Sequence, residues 1–222
     1  MPLRHACGCI IALCLAHLLV ARPARAEPPA PRAEVTVGPE AQLTFGQICR
    51  SDGDTGACGS GDYAPGFRLR GLWRFTPHVS AGLTTGFFWF ANQDSQVSSD
   101  GGRVDHPRTM WQSALVLALG DATLGGPWIS AEAGLALASD GLVTNQTPVV
   151  NETVWQAAPL AGATAGYSWR LGSNVVLGVR GSYAVTFFNH SPPAFASDPM
   201  RRASDFGTLS WFGLGAIAGL LF

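Results

Sequence analysis

The chain has 222 residues, of which 47% are hydrophobic and 13% are charged, with 14 basic and 15 acidic side chains and a formal net charge of −1. This balance excludes the strongly basic surfaces that nucleic-acid partners select, so no nucleic-acid partner is predicted. The length suits one domain and gives little support for two.

The first predicted element is a cleaved signal peptide over residues 1–26. A basic start precedes an apolar run over 6–20, and Ala24 and Ala26 supply small residues at the two positions that a signal peptidase reads. Residues 27–33 contain three prolines and predict a short extended leader, which would be periplasmic. The chain is therefore expected to be exported.

Two cysteines, Cys49 and Cys58, follow the predicted cleavage site. In an oxidising compartment they are predicted to form a disulfide, since no histidine lies near them to complete a metal site. Residues 52–54 read Asp-Gly-Asp, like the start of a calcium loop, but the twelfth residue of such a loop would be Tyr63 instead of an acid. No metal and no cofactor are predicted.

Alternating apolar and polar residues predict eight strands in the remainder of the chain, which forms one domain over 34–222. In chain order the strands cover 34–45, 63–75, 79–91, 108–120, 128–139, 153–170, 175–188 and 206–222. Each is long enough to cross a bilayer at a tilt, and the number is even, as in single-chain bacterial barrels. Three short turns alternate with four long polar connections, at 48–62, 92–107, 140–152 and 189–205. This asymmetry is typical of membrane-spanning barrels.

The same alternation predicts which side chains face outward. In the first strand Val35, Val37 and Leu43 lie on one face, and Glu34 and Glu40 lie on the other. Aromatic residues cluster near the two ends of the predicted strands, and most are expected to point outward toward two membrane interfaces. Those near the turns are Trp73, Phe75, Trp128, Tyr167, Trp169 and Phe222, and those near the long connections are Phe45, Tyr63, Phe87, Trp89, Trp111, Trp155, Phe187 and Phe206.

The last predicted strand carries the most specific pattern. Leu214 and Leu220 lie on its apolar face, glycines lie on the other face, and the strand ends on Phe222. This ending resembles the C-terminal assembly signal of bacterial outer-membrane barrels, with Phe222 and Leu220 as its main residues. The whole mature chain resembles the small eight-stranded outer-membrane β-barrels of the OmpA/OmpX type, without their periplasmic domain.

The resemblance implies an all-β fold, an eight-stranded antiparallel up-and-down transmembrane β-barrel. It also implies a location in the cell outer membrane, with extracellular loops and periplasmic termini. The expected partners are outer-membrane lipid, lipopolysaccharide and, during biogenesis, the barrel-assembly machinery. The protein is expected to be a monomer. It is not expected to anchor the outer membrane to the cell wall.

A charge network is predicted inside the barrel. The inward positions carry charged residues, of which we select Glu40, Arg68, Arg70, Arg74, Glu132 and Arg180. Other polar inward positions are Glu34, Gln42, Gln112, Gln156 and Arg170. The interior of an eight-stranded barrel is just wide enough for side chains to fill, and unpaired buried charges are costly. The charges are therefore predicted to pair and plug the lumen.

No catalytic residues are predicted. His190 and Ser191 lie in a long connection, followed by two prolines, and only Asp198 and Asp205 are nearby acids. A serine nucleophile needs its base and an orienting carboxylate held in mutual reach, which this segment does not promise.

Three functions remain open from the sequence. The first is a non-enzymatic integral outer-membrane barrel that presents surface loops and has a plugged lumen. The second is a narrow channel for ions or small solutes. The third is a secreted, lipocalin-like carrier of an apolar ligand, which would leave a large apolar belt in water.

Overall fold

The computed structural model describes residues 33–49, 58–60, 62–91, 94–97, 103–120, 125–145, 149–189, 191–197 and 202–222. The predicted signal peptide, residues 1–26, and the predicted leader up to residue 32 lie outside the described residues. In the described ranges, no helix is long and apolar enough to span a membrane.

The described residues form twelve strands. Their bounds are β1 Ala33–Phe45, β2 Gln47–Cys49, β3 Cys58–Ser60, β4 Tyr63–Arg74, β5 Val79–Trp89, β6 Asp94–Val97, β7 Arg103–His106, β8 Arg108–Gly120, β9 Gly126–Thr144, β10 Asn151–Leu171, β11 Val175–Phe187 and β12 Thr208–Leu221.

Eight long strands close into a barrel in the order β1, β4, β5, β8, β9, β10, β11, β12. Each pairs antiparallel with its neighbour, and the last strand pairs with the first, for example Val35 with Leu220. Closure gives each of these eight strands a partner on both sides. The prediction of an all-β, eight-stranded antiparallel up-and-down barrel is confirmed.

Alternation along each strand separates an inner from an outer face. In β1, Glu34, Thr36 and Glu40 are buried, whereas Val35 and Val37 are exposed. A slip of one residue in register would place the charges outside and the apolar side chains inside, so the alternating pattern excludes such a slip.

Two strands, β9 and β10, extend further on the side of the long connections than the sequence predicts. Strands β9 and β10 run to Thr144 and start at Asn151, so only 145–150 connects them. The predicted fifth strand ended at Ser139, where the long polar connection 140–152 was predicted to begin. In the structure Asp140 faces inward and accepts a hydrogen bond from the Ser204 backbone N–H, which allows the strand to continue.

Two predicted connections contain hairpins. Strands β2 and β3 form a separate two-stranded sheet that starts one residue before the predicted connection 48–62. Strands β6 and β7 form a hairpin within 92–107, and β7 pairs with the extension of β9. These four strands have only three or four residues each, too few for an alternating pattern to be recognised in the sequence.

Two aromatic residues were assigned wrongly to the outer bands. Trp128 is buried, and its indole N–H donates to the Ser168 hydroxyl at 2.9 Å. Phe206 is also buried and packs on Phe90 and Phe188, with ring centroids 6.1 and 5.4 Å apart. Both are large side chains that fill the barrel interior near its two ends.

Candidate functional site: the charged interior of the barrel

Glu40 of β1 is the centre of the interior charge network. Its carboxylate accepts from Arg68 Nε and Nη2 of β4, each at 3.0 Å, in a bidentate pair. It also accepts from Gln42 Nε2 at 2.9 Å and from the Ser182 hydroxyl at 3.2 Å. Arg180 Nε of β11 lies 2.8 Å from Glu40 Oε2. This side chain therefore joins residues of three strands.

Arg68 extends the network across the lumen. Its Nη1 donates to Glu132 Oε2 of β9 at 3.2 Å, and its Nη2 also donates to Gln112 Oε1 of β8 at 3.0 Å. The Thr164 hydroxyl of β10 donates to Glu132 Oε1 at 2.8 Å. Arg68, Glu132 and Glu40 are all buried, and these hydrogen bonds compensate their charges within the protein.

Glycines on neighbouring strands make room for these long side chains. Gly215 of β12 lies in register between Arg180 and Glu40, so the guanidinium crosses the place where a side chain would stand. A Cβ at Gly215 would lie 3.2 Å from Arg180 Nε. One at Gly213 would lie 2.8 Å from Glu40 Oε1. The absence of a side chain is thus part of the network.

The remaining predicted charges form a second group nearer the short turns. The Arg70 guanidinium lies over the Trp128 indole, 4.4 Å from the ring centroid. Arg70 and Arg74 interact electrostatically with Glu34, and Arg70 also interacts with Glu132. Arg170 donates to the turn carbonyls of Gly172 and Ser173. The structure therefore brings Glu40, Arg68, Glu132 and Arg180 together and places Arg70 and Arg74 beside them.

An apolar layer fills the interior on the side of the long connections. It is a single cluster of buried side chains, whose large members are Phe88, Phe90, Met110, Phe188, Phe206, Leu209 and Trp211. Sequence analysis missed this layer, because it attended to the polar inward positions. The signal was present, since Phe88 follows an outward residue and Trp211 lies on the glycine face of the last strand. The interior thus contains a polar layer and an apolar layer in series.

The long connections fold over the barrel mouth. Ser204 donates its backbone N–H to Asp140 Oδ2 at 2.6 Å, and His106 Nδ1 lies 3.6 Å from Asp140 Oδ1. Burial would raise the pKa of Asp140, but the nearby His106 and the hydrogen bonds from Ser204 hold the pKa below its ordinary value. Asp140 lies beyond the level of Trp155, which pairs with Ser139.

A second carboxylate at the mouth holds the connection between β11 and β12. Glu152 accepts from the Ser197 hydroxyl at 2.6 Å, from the Ser197 N–H at 2.9 Å and from the Ala196 N–H at 2.6 Å. The hydrogen bonds from Ser197, and to a smaller extent the one from Ala196, lower the pKa of Glu152. These contacts fix one part of the connection to the end of β10.

The predicted cysteine pair lies on the β2–β3 hairpin. Cys49 and Cys58 are directly opposite each other in the register of the two strands. Cys49 also exchanges two backbone hydrogen bonds with Asp205, at 2.9 and 2.7 Å, which joins the first long connection to the fourth.

The segment weighed for catalysis is only partly described. Residues 190 and 198 and the Asp-Gly-Asp segment 52–54 lie outside the described residues. Ser191 is exposed, and the Asp205 carboxylate accepts from the Gly207 N–H at 2.8 Å. Among the described residues, no group of three or more His, Cys, Asp or Glu side chains could hold a metal ion.

The two residues of the predicted assembly signal lie at the turn side of the barrel. Leu220 and Phe222 are exposed, and Leu220 pairs with Val35 in register. Phe222 exchanges backbone hydrogen bonds with Ala33.

Similar structures share the small-barrel form. The chain is an eight-stranded β-barrel. It is similar to Ail, the attachment invasion locus protein of Yersinia pestis, solved in complex with the heparin analogue sucrose octasulfate (11% identity, 87% of this chain and 99% of that chain, TM-score 0.46). It is also similar to Neisserial surface protein A, NspA (12% identity, 85% of this chain and 97% of that chain, TM-score 0.48). A third similar structure is the outer membrane protein OprG from Pseudomonas aeruginosa (11% identity, 87% of this chain and 97% of that chain, TM-score 0.46).

No protein-family model and no curated protein matches the sequence. The strand pairing itself defines the eight-stranded barrel.

Proposed function

We propose that the chain is an integral outer-membrane β-barrel protein without enzymatic activity, with a lumen plugged by side chains and with loops presented at the cell surface. The observation that carries this proposal is the apolar outer face of the barrel. Leu83, Leu115, Leu135 and Leu214 are 63, 68, 58 and 60% exposed. A belt of this kind is stable in hydrocarbon and would be costly in water, which also argues against a soluble carrier.

The aromatic residues support the placement in a bilayer. Trp73, Tyr167 and Trp169 are exposed near the short turns, and Trp111 and Trp155 are exposed near the long connections. Indole and phenol rings are favoured where hydrocarbon meets the headgroups. Since long connections are extracellular in such barrels, the short turns and both ends of the barrel domain would be periplasmic.

The plugged lumen is supported by the two interior layers. Glu40, Arg68 and Glu132 connect opposite walls through direct hydrogen bonds, and Phe206 and Trp211 lie in the apolar layer beyond them. An ion would have to separate buried ion pairs and displace aromatic rings to pass. The partners of such a protein are outer-membrane lipid, lipopolysaccharide and the barrel-assembly machinery, and we expect a monomer.

Cell fractionation and gel mobility test the proposal. The protein should be found in the outer-membrane fraction, and an unboiled sample should run as a compact band that shifts on boiling, because a closed barrel resists detergent. A protein found in the soluble periplasm without a heat-dependent shift would overturn the proposal and favour the secreted carrier.

We also propose a disulfide between Cys49 and Cys58. Residues directly opposite in an antiparallel pair have Cα atoms roughly 4.5–5.5 Å apart, which lies within the range that a disulfide spans. Mass spectrometry of the protein from the oxidising periplasm should show a mass about two units below that of the reduced chain, since one disulfide removes two hydrogens. Alkylation of both cysteines without prior reduction would contradict the pairing.

A further inference from the structure

The seam between the first and last strands is the one interrupted pairing of the barrel. In the seven other pairings every residue within the paired range has a partner. Between β1 and β12, Val37 pairs with Ala218 and Glu40 pairs with Gly215, but Gly38 and Pro39 have no partner. The interruption lies in the middle of the wall.

The hydrogen-bonding phase explains the interruption. Ala33 and Phe222 exchange both backbone bonds, at 3.1 and 2.9 Å, so every second residue of β1 from Ala33 onward directs its backbone N toward β12. Pro39 is one of these residues, and it has no N–H. The register of the neighbouring pairs places Ala216 opposite Pro39, so the Ala216 carbonyl loses its ladder donor.

Gly38 accommodates the displaced carbonyl. A Cβ at Gly38 would collide with the backbone oxygen of Ala216, which shows that this oxygen lies against the Gly38 Cα. The Gly38-Pro39 dipeptide therefore replaces a ladder bond by a close backbone approach. All other pairings of the barrel are continuous, so the backbone ladder of the closed wall is broken at this position.

A buried ion pair crosses the seam at the next residue. Glu40 follows Pro39 and faces the lumen, and Arg180 of β11 reaches over Gly215 of β12 to bring its Nε within 2.8 Å of Glu40 Oε2. The Ser182 hydroxyl, also on β11, donates to Glu40 Oε1 at 3.2 Å. These contacts tie β1 to β11 across β12.

We propose that Glu40, together with Arg180 and Ser182, is a clasp that holds the barrel seam closed where Pro39 interrupts the backbone ladder. This assigns a role in barrel closure to part of the charge network. The role does not rest on the proposed plug, because the clasp would be required whether or not the lumen conducts.

A double-mutant cycle tests the clasp in the full-length protein refolded into lipid vesicles. The variants are Pro39→Ala, which restores the missing N–H, Glu40→Gln, which breaks the ion pair, and their combination. The readout is the temperature at which half of the protein loses its compact gel band.

Glu40→Gln should lower this midpoint by on the order of 10 °C in the natural background. In the Pro39→Ala background, the loss should be about half as large, because the restored ladder bond then shares the closure. Glu132→Gln is the control for loss of a buried carboxylate of the same network. Its hydrogen bonds go to Arg68 of β4 and Thr164 of β10 and do not cross from β1 to β11 or β12, so its loss should be equal in both backgrounds. Equal losses for Glu40→Gln in both backgrounds would overturn the clasp.

A milder variant keeps the proposal testable if Glu40→Gln does not refold. Ser182→Ala removes one contact of the clasp and leaves the ion pair in place. Amide hydrogen exchange at Val37, Ala41 and Ala218 should become at least about threefold faster, and exchange in the β5–β8 pairing should not change. Unchanged exchange at the β1–β12 seam, or an equal increase there and in the β5–β8 pairing, would contradict the clasp.

Discussion

Two glycines of β4 differ in whether the structure leaves room for a side chain. A Cβ at Gly66 would collide with the Phe87 carbonyl and the Phe88 ring, whereas a Cβ at Gly71 would meet nothing within 4 Å. Gly66→Ala should therefore lower the free energy of unfolding by about 1–3 kcal/mol. Gly71→Ala should leave it unchanged or raise it by about 0.5–1 kcal/mol, because alanine loses less backbone entropy than glycine on folding. Urea unfolding in vesicles measures both, and equal effects would contradict this account of the interior.

Glu152 makes one surface connection sensitive to acid. Its pKa is lowered in the folded protein, so its contribution to stability is present at and above its ordinary value of 4.5 and is lost as the pH falls through the lower folded value. The amide NMR signals of Ala196 and Ser197 should therefore shift with a midpoint below 4.5. Glu152→Gln should abolish that transition. A midpoint at or above 4.5 would show that these hydrogen bonds do not stabilise the carboxylate.

Among the elements, the connection between β11 and β12 contributes a residue to the interior. Phe206 packs on Phe90 and Phe188 inside the apolar layer. Phe206→Ala should reduce the free energy of unfolding by about 3–5 kcal/mol, because it leaves a cavity among buried rings. Phe187→Ala is the matched control, since Phe187 is next to Phe188 in sequence but 57% exposed on the outer face. A loss for Phe206→Ala no larger than for Phe187→Ala would contradict the packing role.

The strand bounds could be predicted from the sequence, but the positions of two aromatic side chains could not. The bounds of the eight strands were predicted to within five residues, because an apolar outer face alternates with a different inner face along each strand. Phe206 and Trp128 were placed outside because an aromatic near a strand end fits either an interface or an interior layer. Only the closed barrel decides between them, since the interior layer is assembled from five or more strands that are distant in sequence.

The charge network shows the same limit. The inward positions of Glu40, Arg68 and Arg180 follow from alternation along their own strands. Their partners depend on the register of different strands, which places Gly215 between Arg180 and Glu40. A periodic pattern within one strand does not distinguish registers that differ by two residues, so the interaction of Arg70 and Arg74 with Glu34 was not predictable.

For the whole molecule, the two interior layers predict a barrel that is closed to ions. The polar layer around Arg68 and the apolar layer around Phe206 lie in series, so either one alone should block the lumen. In planar bilayers the natural protein and the single variant Phe206→Ala should both give little or no steady current. Combining Phe206→Ala with Arg68→Ala, after the compact gel band has confirmed folding, should open a measurable conductance. Steady current through the natural protein would overturn the plug and favour a narrow channel, and a silent double variant would show that side chains beyond these two layers also close the lumen.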